Sequence, residues 1–119
     1  MATRESRLTV EYDQDIVKVQ LLDRNILEEA AIQQIGEEIS ALVEQASNPK
    51  ILIDFNNVEH LSSAALGTLI TINNKVRQKS GQLRLAHIDA QIYEVFVITR
   101  LNKLFQIFDD NEQALASFE

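Results

Sequence analysis

The chain has 119 residues, with 18 acidic against 11 basic, a formal net charge of −7 and no cysteine. That length suits one domain able to bury a core without covalent staples, and the missing cysteine excludes disulfides, thiolate chemistry and Cys-built zinc sites. The acidic balance opposes nucleic-acid binding, which needs a basic footprint, and points to a partner that presents basic surface.

Met1 to Arg7 is polar and lacks the apolar core of a signal peptide, and no run approaches the roughly 18 to 20 apolar residues of a membrane-spanning helix. Residues 1–7 are therefore expected to be a tail and residues 8–119 one domain, in the cytoplasm and without membrane insertion. Leu8, Val10 and Tyr12 alternate with polar residues, Asp13-Gln14-Asp15 signals a turn, and Val17, Val19 and Leu21 alternate again. This predicts an antiparallel hairpin at one side of a sheet.

Asp23 to Glu28 reads as a loop ending in a helix cap, with Asn25 three residues before Glu28 in the manner of a capping box. Ile32, Ile35, Ile39 and Leu42 follow on one helical face, in a helix running to about Ala46. Gly36 inside that helix costs about 1 kcal/mol relative to alanine and suggests close packing against a neighbour. After Asn48-Pro49, Ile51 to Phe55 is an apolar run long enough for a strand buried on both faces and too short for a helix.

Asn56 and Asn57 turn the chain, and Ser62-Ser63 precede a second helix from about Ser63 to Lys79 with Ala65, Leu69, Ile72 and Val76 at helical spacing. Lys75, Arg77 and Lys79 gather where cations meet the negative end of the helix dipole, and Ser80-Gly81 supplies the stop. Leu83 to His87 predicts a strand. Asp89 caps a short third helix carrying Ile92, Val95, Phe96 and Thr99, whose β-branched content opposes a helix that period and cap support. Leu104 to Phe108 reads as a last strand, and Asp109-Asp110 opens a final helix through Ala114, Leu115 and Phe118. Two strands followed by alternating helix and strand give the α/β class: a mixed central sheet of four to five strands with about four helices.

Ser62 and Ser63 sit where a helix leaves about four backbone N–H groups unpaired, so a serine oxygen there stabilises by roughly 1 kcal/mol as a cap. A hydroxyl exposed at the same loop can instead take phosphate, adding up to about two negative charges. Position alone does not separate the two readings. Catalysis would need a base in reach of one of these serines, from His60 or His87 with Asp54 or Asp23, and is disfavoured because His60 lies on the same loop as Ser62. Glu28-Glu29, Glu37-Glu38 and Asp109-Asp110 read as solvated faces and caps. No nucleotide fingerprint and no His-carboxylate metal spacing is present, so no cofactor and no metal is expected.

The stretch Leu61-Ser62-Ser63-Ala64-Ala65-Leu66-Gly67 resembles the STAS domain of anti-sigma factor antagonists, whose mark is an acidic strand end, an apolar pair, then Asp-Ser-(Ser or Thr)-Gly-Leu-Gly opening a helix. Aligned without gaps from Leu66-Gly67, Ser62 stands where the family has Asp, Ser63 where it has the first serine, and Ala64 where it has the phosphorylated residue. Leu21-Leu22-Asp23 is similar to the end of the family's second strand. Ile92 to Phe96 with Leu101 to Phe105 is similar to its third helix and edge strand, so the resemblance spans about residues 8–118.

The resemblance implies a non-catalytic domain that binds an anti-sigma factor or serine kinase and frees a sigma factor. Asp23, Asn25, His60, Ser62, Ser63, Ala64 and Leu66 would face the partner. Ser63, or its neighbour Ser62, would be the phosphorylated residue. The alternative is a constitutive module, a scaffold or accessory subunit of a signalling complex or transporter without a phosphorylation cycle. Ala64 favours the module, and the adjacent serines favour the switch.

Overall fold

The computed structural model describes residues 5–119, so Met1 to Arg4 of the expected tail lie outside the described residues. Strands β1 (Leu8–Asp13) and β2 (Ile16–Leu21) form the antiparallel hairpin, with Gln14 at φ 58° in its turn. β4 (Lys50–Asp54) runs parallel to β2 on one side and to β6 (Gln82–Ala86) on the other, after the two-residue β3 (Asn25–Ile26) has left the main sheet. β7 (Gln106–Phe108), parallel to β6, completes the order β1-β2-β4-β6-β7. β5 (His60–Leu61) pairs in parallel with β3 as a separate two-stranded sheet.

Helices α1 (Glu29–Glu44), α2 (Ser63–Gln78) and α3 (Ala90–Ile98) complete the main core with Val19, Ile51, Ile53 and Leu85. The alternate residues Leu52 and Ala86 turn to the other face of the sheet, where α4 (Asn111–Ala116) covers them with Ala114. Helices on both faces explain why the β4 sequence is an unbroken apolar run with no alternation. The mixed five-stranded sheet and four helices are those expected.

Where α1 crosses α2, a Cβ built on Gly36 would fall 2.9 Å from the Thr68 Cγ2 methyl, so glycine is what lets the two helices meet. The core side of α1 is Ile32, Ile35, Ile39 and Val43, with Leu42 only partly buried. α2 buries Ala65, Leu69, Ile72 and Val76 as its spacing required, with Leu66 and Asn73.

Several boundaries and caps differ from expectation. Asn25 does not cap α1: it is committed to β3, and Glu28 stands at the helix entrance with extended backbone and no side-chain cap. The two-residue ladder with His60-Leu61 removes Asn25 from the helix and buries Ile26. Before β7, Leu101–Lys103 form a 3-10 turn that buries Phe105 edge-on against Phe96, ring centroids 5.9 Å apart, so the last strand loses two expected residues. His87 follows β6 at φ 58° instead of extending it.

The stop after α2 is divided between two residues. Ser80 takes the left-handed conformation at φ 56°, and the Gly81 N–H donates to the Val76 carbonyl at 2.8 Å. Gly81 is needed for a different reason: a Cβ there would lie 2.3 Å from the Pro49 carbonyl oxygen. Glu38 is not a plain solvated carboxylate, since it accepts from Ser6 Oγ, the Arg7 N–H (3.0 Å) and Gln34 Nε2 (3.1 Å).

Candidate functional site

The site is assembled by the small sheet that sequence reading missed. Pairing Asn25 with His60 and Ile26 with Leu61 fixes the loop after β2 beside the entrance of α2. Further bonds close the junction: the N–H groups of Glu59 and His60 both donate to the Arg24 carbonyl (2.8 and 3.2 Å), and the Ser62 N–H donates to the Ile26 carbonyl (3.1 Å). Each backbone polar group so paired avoids the cost of lying unsatisfied in a loop. All of Asp23, Asn25, His60, Ser62, Ser63 and Ala64 are thereby gathered at one end of the molecule.

Their side chains have distinct tasks. Asp23 accepts both its bonds from Arg7 Nη1, each at 3.0 Å, tying the segment before β1 to the loop. His60 Nδ1 lies 2.7 Å from Asn25 Oδ1, both on the surface, and Arg24 pairs with Glu59 at 2.9 Å. Ser62 is the cap of α2: its backbone is extended and its Oγ accepts from the Ala65 N–H at 3.2 Å. Ser63 begins the helix fully outside the core, and its hydroxyl has no hydrogen-bond partner among the described residues.

Ala64 is exposed beside Ser63, whereas Leu66 is only 6% exposed and belongs to the packing beneath the site rather than to its surface. Gly67 is also exposed, and a Cβ added there would meet nothing within 4 Å. Ser63, Ala64 and Gly67 share one helical face at spacings of three and four. The result is a smooth, small-residue strip starting at a helix N-terminus.

Two apolar residues of this surface were not singled out by sequence. Leu27 is 54% exposed and Leu22 45%, large values for leucine next to ordered strands. Ile26 is buried and the residue after it, just past the end of β3, is turned to solvent.

Among the described residues no hydrogen bond joins Ser62 or Ser63 to His60 or His87, and Asp23 is held by Arg7. His87 Nδ1 instead donates to Asp54 Oδ1 at 2.9 Å, where Asp54 also accepts from the Asn56 N–H and Asn111 Nδ2, binding the end of β4 to α4. No group of three or more His or carboxylate side chains among the described residues is placed to hold a metal ion, and none of their helices is long and apolar enough to cross a membrane.

Comparison with known proteins agrees with this architecture. The model of the STAS domain matches residues 13–114. A Bordetella bronchiseptica protein, BtrV, named for the anti-sigma factor antagonists, is 25% identical over 96 residues, covering 81% of this chain and 82% of its own. An anti-sigma-factor antagonist (STAS) domain protein from Planctomyces limnophilus superposes with a TM-score of 0.84 at 19% identity, covering 92% of this chain and 96% of that one. The Bacillus cell fate determinant SpoIIAA in its phosphorylated form gives a TM-score of 0.68 at 19% identity, with coverage of 92% and 96%.

Proposed function

Because this chain belongs to the STAS domain family, we propose that it is a non-catalytic, cytoplasmic regulator of transcription that binds an anti-sigma factor or serine kinase through the entrance of α2, and that phosphate on Ser63 breaks the complex. The observation that carries the reading is the division of labour between the two serines. Ser62 is consumed by the helix cap at 3.2 Å, while Ser63 is exposed with a free hydroxyl.

Phosphate on Ser63 would be tolerated by the fold, since helix N-terminal N–H groups and the dipole favour an anion. It would not be tolerated by a partner packed on the smooth face of Ala64 and Gly67, where a dianion must be desolvated or repelled. Gly67 supports such close approach. It has no internal packing reason to be glycine, yet an exposed helical glycine costs about 1 kcal/mol relative to alanine. Leu22 and Leu27 supply apolar contact area at the rim, and loop carboxylates such as Glu59 suit a partner with basic surface.

The test is intact-mass analysis of the chain after incubation with the kinase that co-purifies with it and ATP. A single added phosphate is expected, retained in Ser62→Ala and lost in Ser63→Ala. A specific observation favours the second reading, a constitutive module: Ala64 occupies the position at which the resembling motif carries its acceptor. Absence of phosphate with every host kinase, together with a stable complex, would establish that reading instead.

A further inference from the structure

α3 covers the core with one stripe, Ile92 and Phe96, and leaves the rest of its surface bare. Tyr93 and Val97 form one ridge of the helix and Glu94 and Ile98 the next, each pair four residues apart. All four are exposed, Tyr93 at 41%, Val97 at 45% and Ile98 at 76%. A surface helix ordinarily turns charged and polar residues outward, whereas here Glu94 is the one charge among three large apolar side chains.

Neither helix propensity nor the core accounts for them. Val97 and Ile98 are β-branched, which weakens a helix, and none of the three apolar residues packs into the main cluster. Large apolar side chains gathered on adjoining ridges and rimmed by charge mark an interaction surface.

The charges around the patch decide what fits it. Asp89 caps the start of α3 and Glu94 lies on the bare face, while Arg100 and Lys103 follow its end. Among the described residues Glu94, Arg100 and Lys103 make no ion pair. Arg100 also holds the left-handed position that stops the helix, at φ 65°, where glycine or asparagine is less strained.

Two copies of a chain with net charge −7 repel each other unless their contact matches opposite signs. Antiparallel packing of α3 on the α3 of another copy supplies that match. About a two-fold axis beside Val97, Glu94 and Arg100 stand three positions to either side, so the Glu94 of each copy meets the Arg100 of the other. The helix dipoles are opposed in the same arrangement, whereas parallel packing would set Glu94 against Glu94.

We infer that the outer face of α3 is a self-association surface on which a second copy of this chain packs its own α3 antiparallel, with Tyr93, Val97 and Ile98 as the apolar centre and Glu94 paired to Arg100 on both sides. The nine-residue helix is about 13 Å long, a small contact against the roughly 800 Å² per partner of a stable complex. The dimer is therefore reversible, with a dissociation constant of about 1 to 100 µM.

Sedimentation equilibrium of the full chain from about 1 to 500 µM should show a monomer-dimer equilibrium. Ile98→Glu should weaken it about tenfold or more while the melting temperature stays that of the parent chain, since the side chain replaced lies outside the core. Glu94→Arg and Arg100→Glu should each weaken the dimer, and the double variant should restore it, because exchanging both charges returns opposite signs to each contact. Position is read by cross-linking. The chain has no cysteine, so the thiol of Val97→Cys is the one thiol present, and air oxidation should join two copies through it across the axis. A chain that stays monomeric over the whole range, a dimer that Ile98→Glu leaves intact, a double variant no stronger than the single ones, or a dimer that cross-links through Thr9→Cys on the edge strand β1 and not through Val97→Cys would overturn the proposal.

Discussion

Gly36 and Gly67 lie on facing helices and have opposite meanings, which substitution can separate. A methyl at Gly36 collides with Thr68 Cγ2, a short β-branched arm whose Oγ1 is already bonded to the Ala64 carbonyl at 3.3 Å. Gly36→Ala should therefore lower stability by about 1 to 3 kcal/mol through overpacking, and Thr68→Ser, which deletes the obstructing methyl, should restore most of it. Gly67→Ala should instead stabilise the fold by about 1 kcal/mol of helix propensity, seen as a higher melting temperature. Thermal unfolding of the four chains decides both; a stabilising Gly36→Ala would show that α1 and α2 are not held this close. Ser62→Ala should cost about 1 kcal/mol by freeing the Ala65 N–H, measured by denaturant unfolding, and leave the Ser63 hydroxyl available for modification.

At the scale of elements, β4 is the support of both cores. Ile53 has no exposure at all and packs among residues of α1, α2 and the flanking strands, so Ile53→Ala should cost about 2 to 5 kcal/mol, read as a lower denaturant midpoint. That strand was legible because burial on both faces writes an unbroken apolar run. α2 was legible from its four-residue stripe and its serine cap, and α3 from Asp89, whose carboxylate accepts the Gln91 N–H at 2.8 Å. β3 and β5 were not. Two-residue strands have no period, and Asn25 offers the same local signature as a helix cap until the ladder to His60 exists. The 3-10 turn before β7 escaped for a similar reason, since a three-residue turn has no period and Leu104 and Phe105 are apolar enough to be read as the start of the strand. The turn is held by the Leu104 and Phe105 N–H groups donating to the Leu101 carbonyl, and it sets Phe105 against Phe96, a tertiary contact that no local pattern announces.

Over the whole molecule, the two ends of α2 carry different surfaces: hydroxyls and small residues at its start, cations at its finish. Asp23 is not a free loop carboxylate, because it anchors Arg7 and with it the segment that Glu38 and Gln34 hold. Asp23→Lys would thus disturb packing as well as any interface. Leu27→Glu is the cleaner probe, as the side chain is more than half exposed. It should leave the unfolding free energy within about 0.5 kcal/mol of the parent chain, and reduce partner affinity by pull-down or calorimetry; unaltered binding would place the contact surface elsewhere.

The switch itself is tested most directly by one affinity measurement: calorimetric titration of the co-purified partner into the parent chain, Ser63→Ala and Ser63→Asp under the same buffer. A charge at the smooth entrance of α2 should weaken the Ser63→Asp complex by tenfold or more, about 1.4 kcal/mol, while Ser63→Ala binds as the parent chain does and all three melt alike. Equal affinity of Ser63→Asp and Ser63→Ala for that partner would contradict the account.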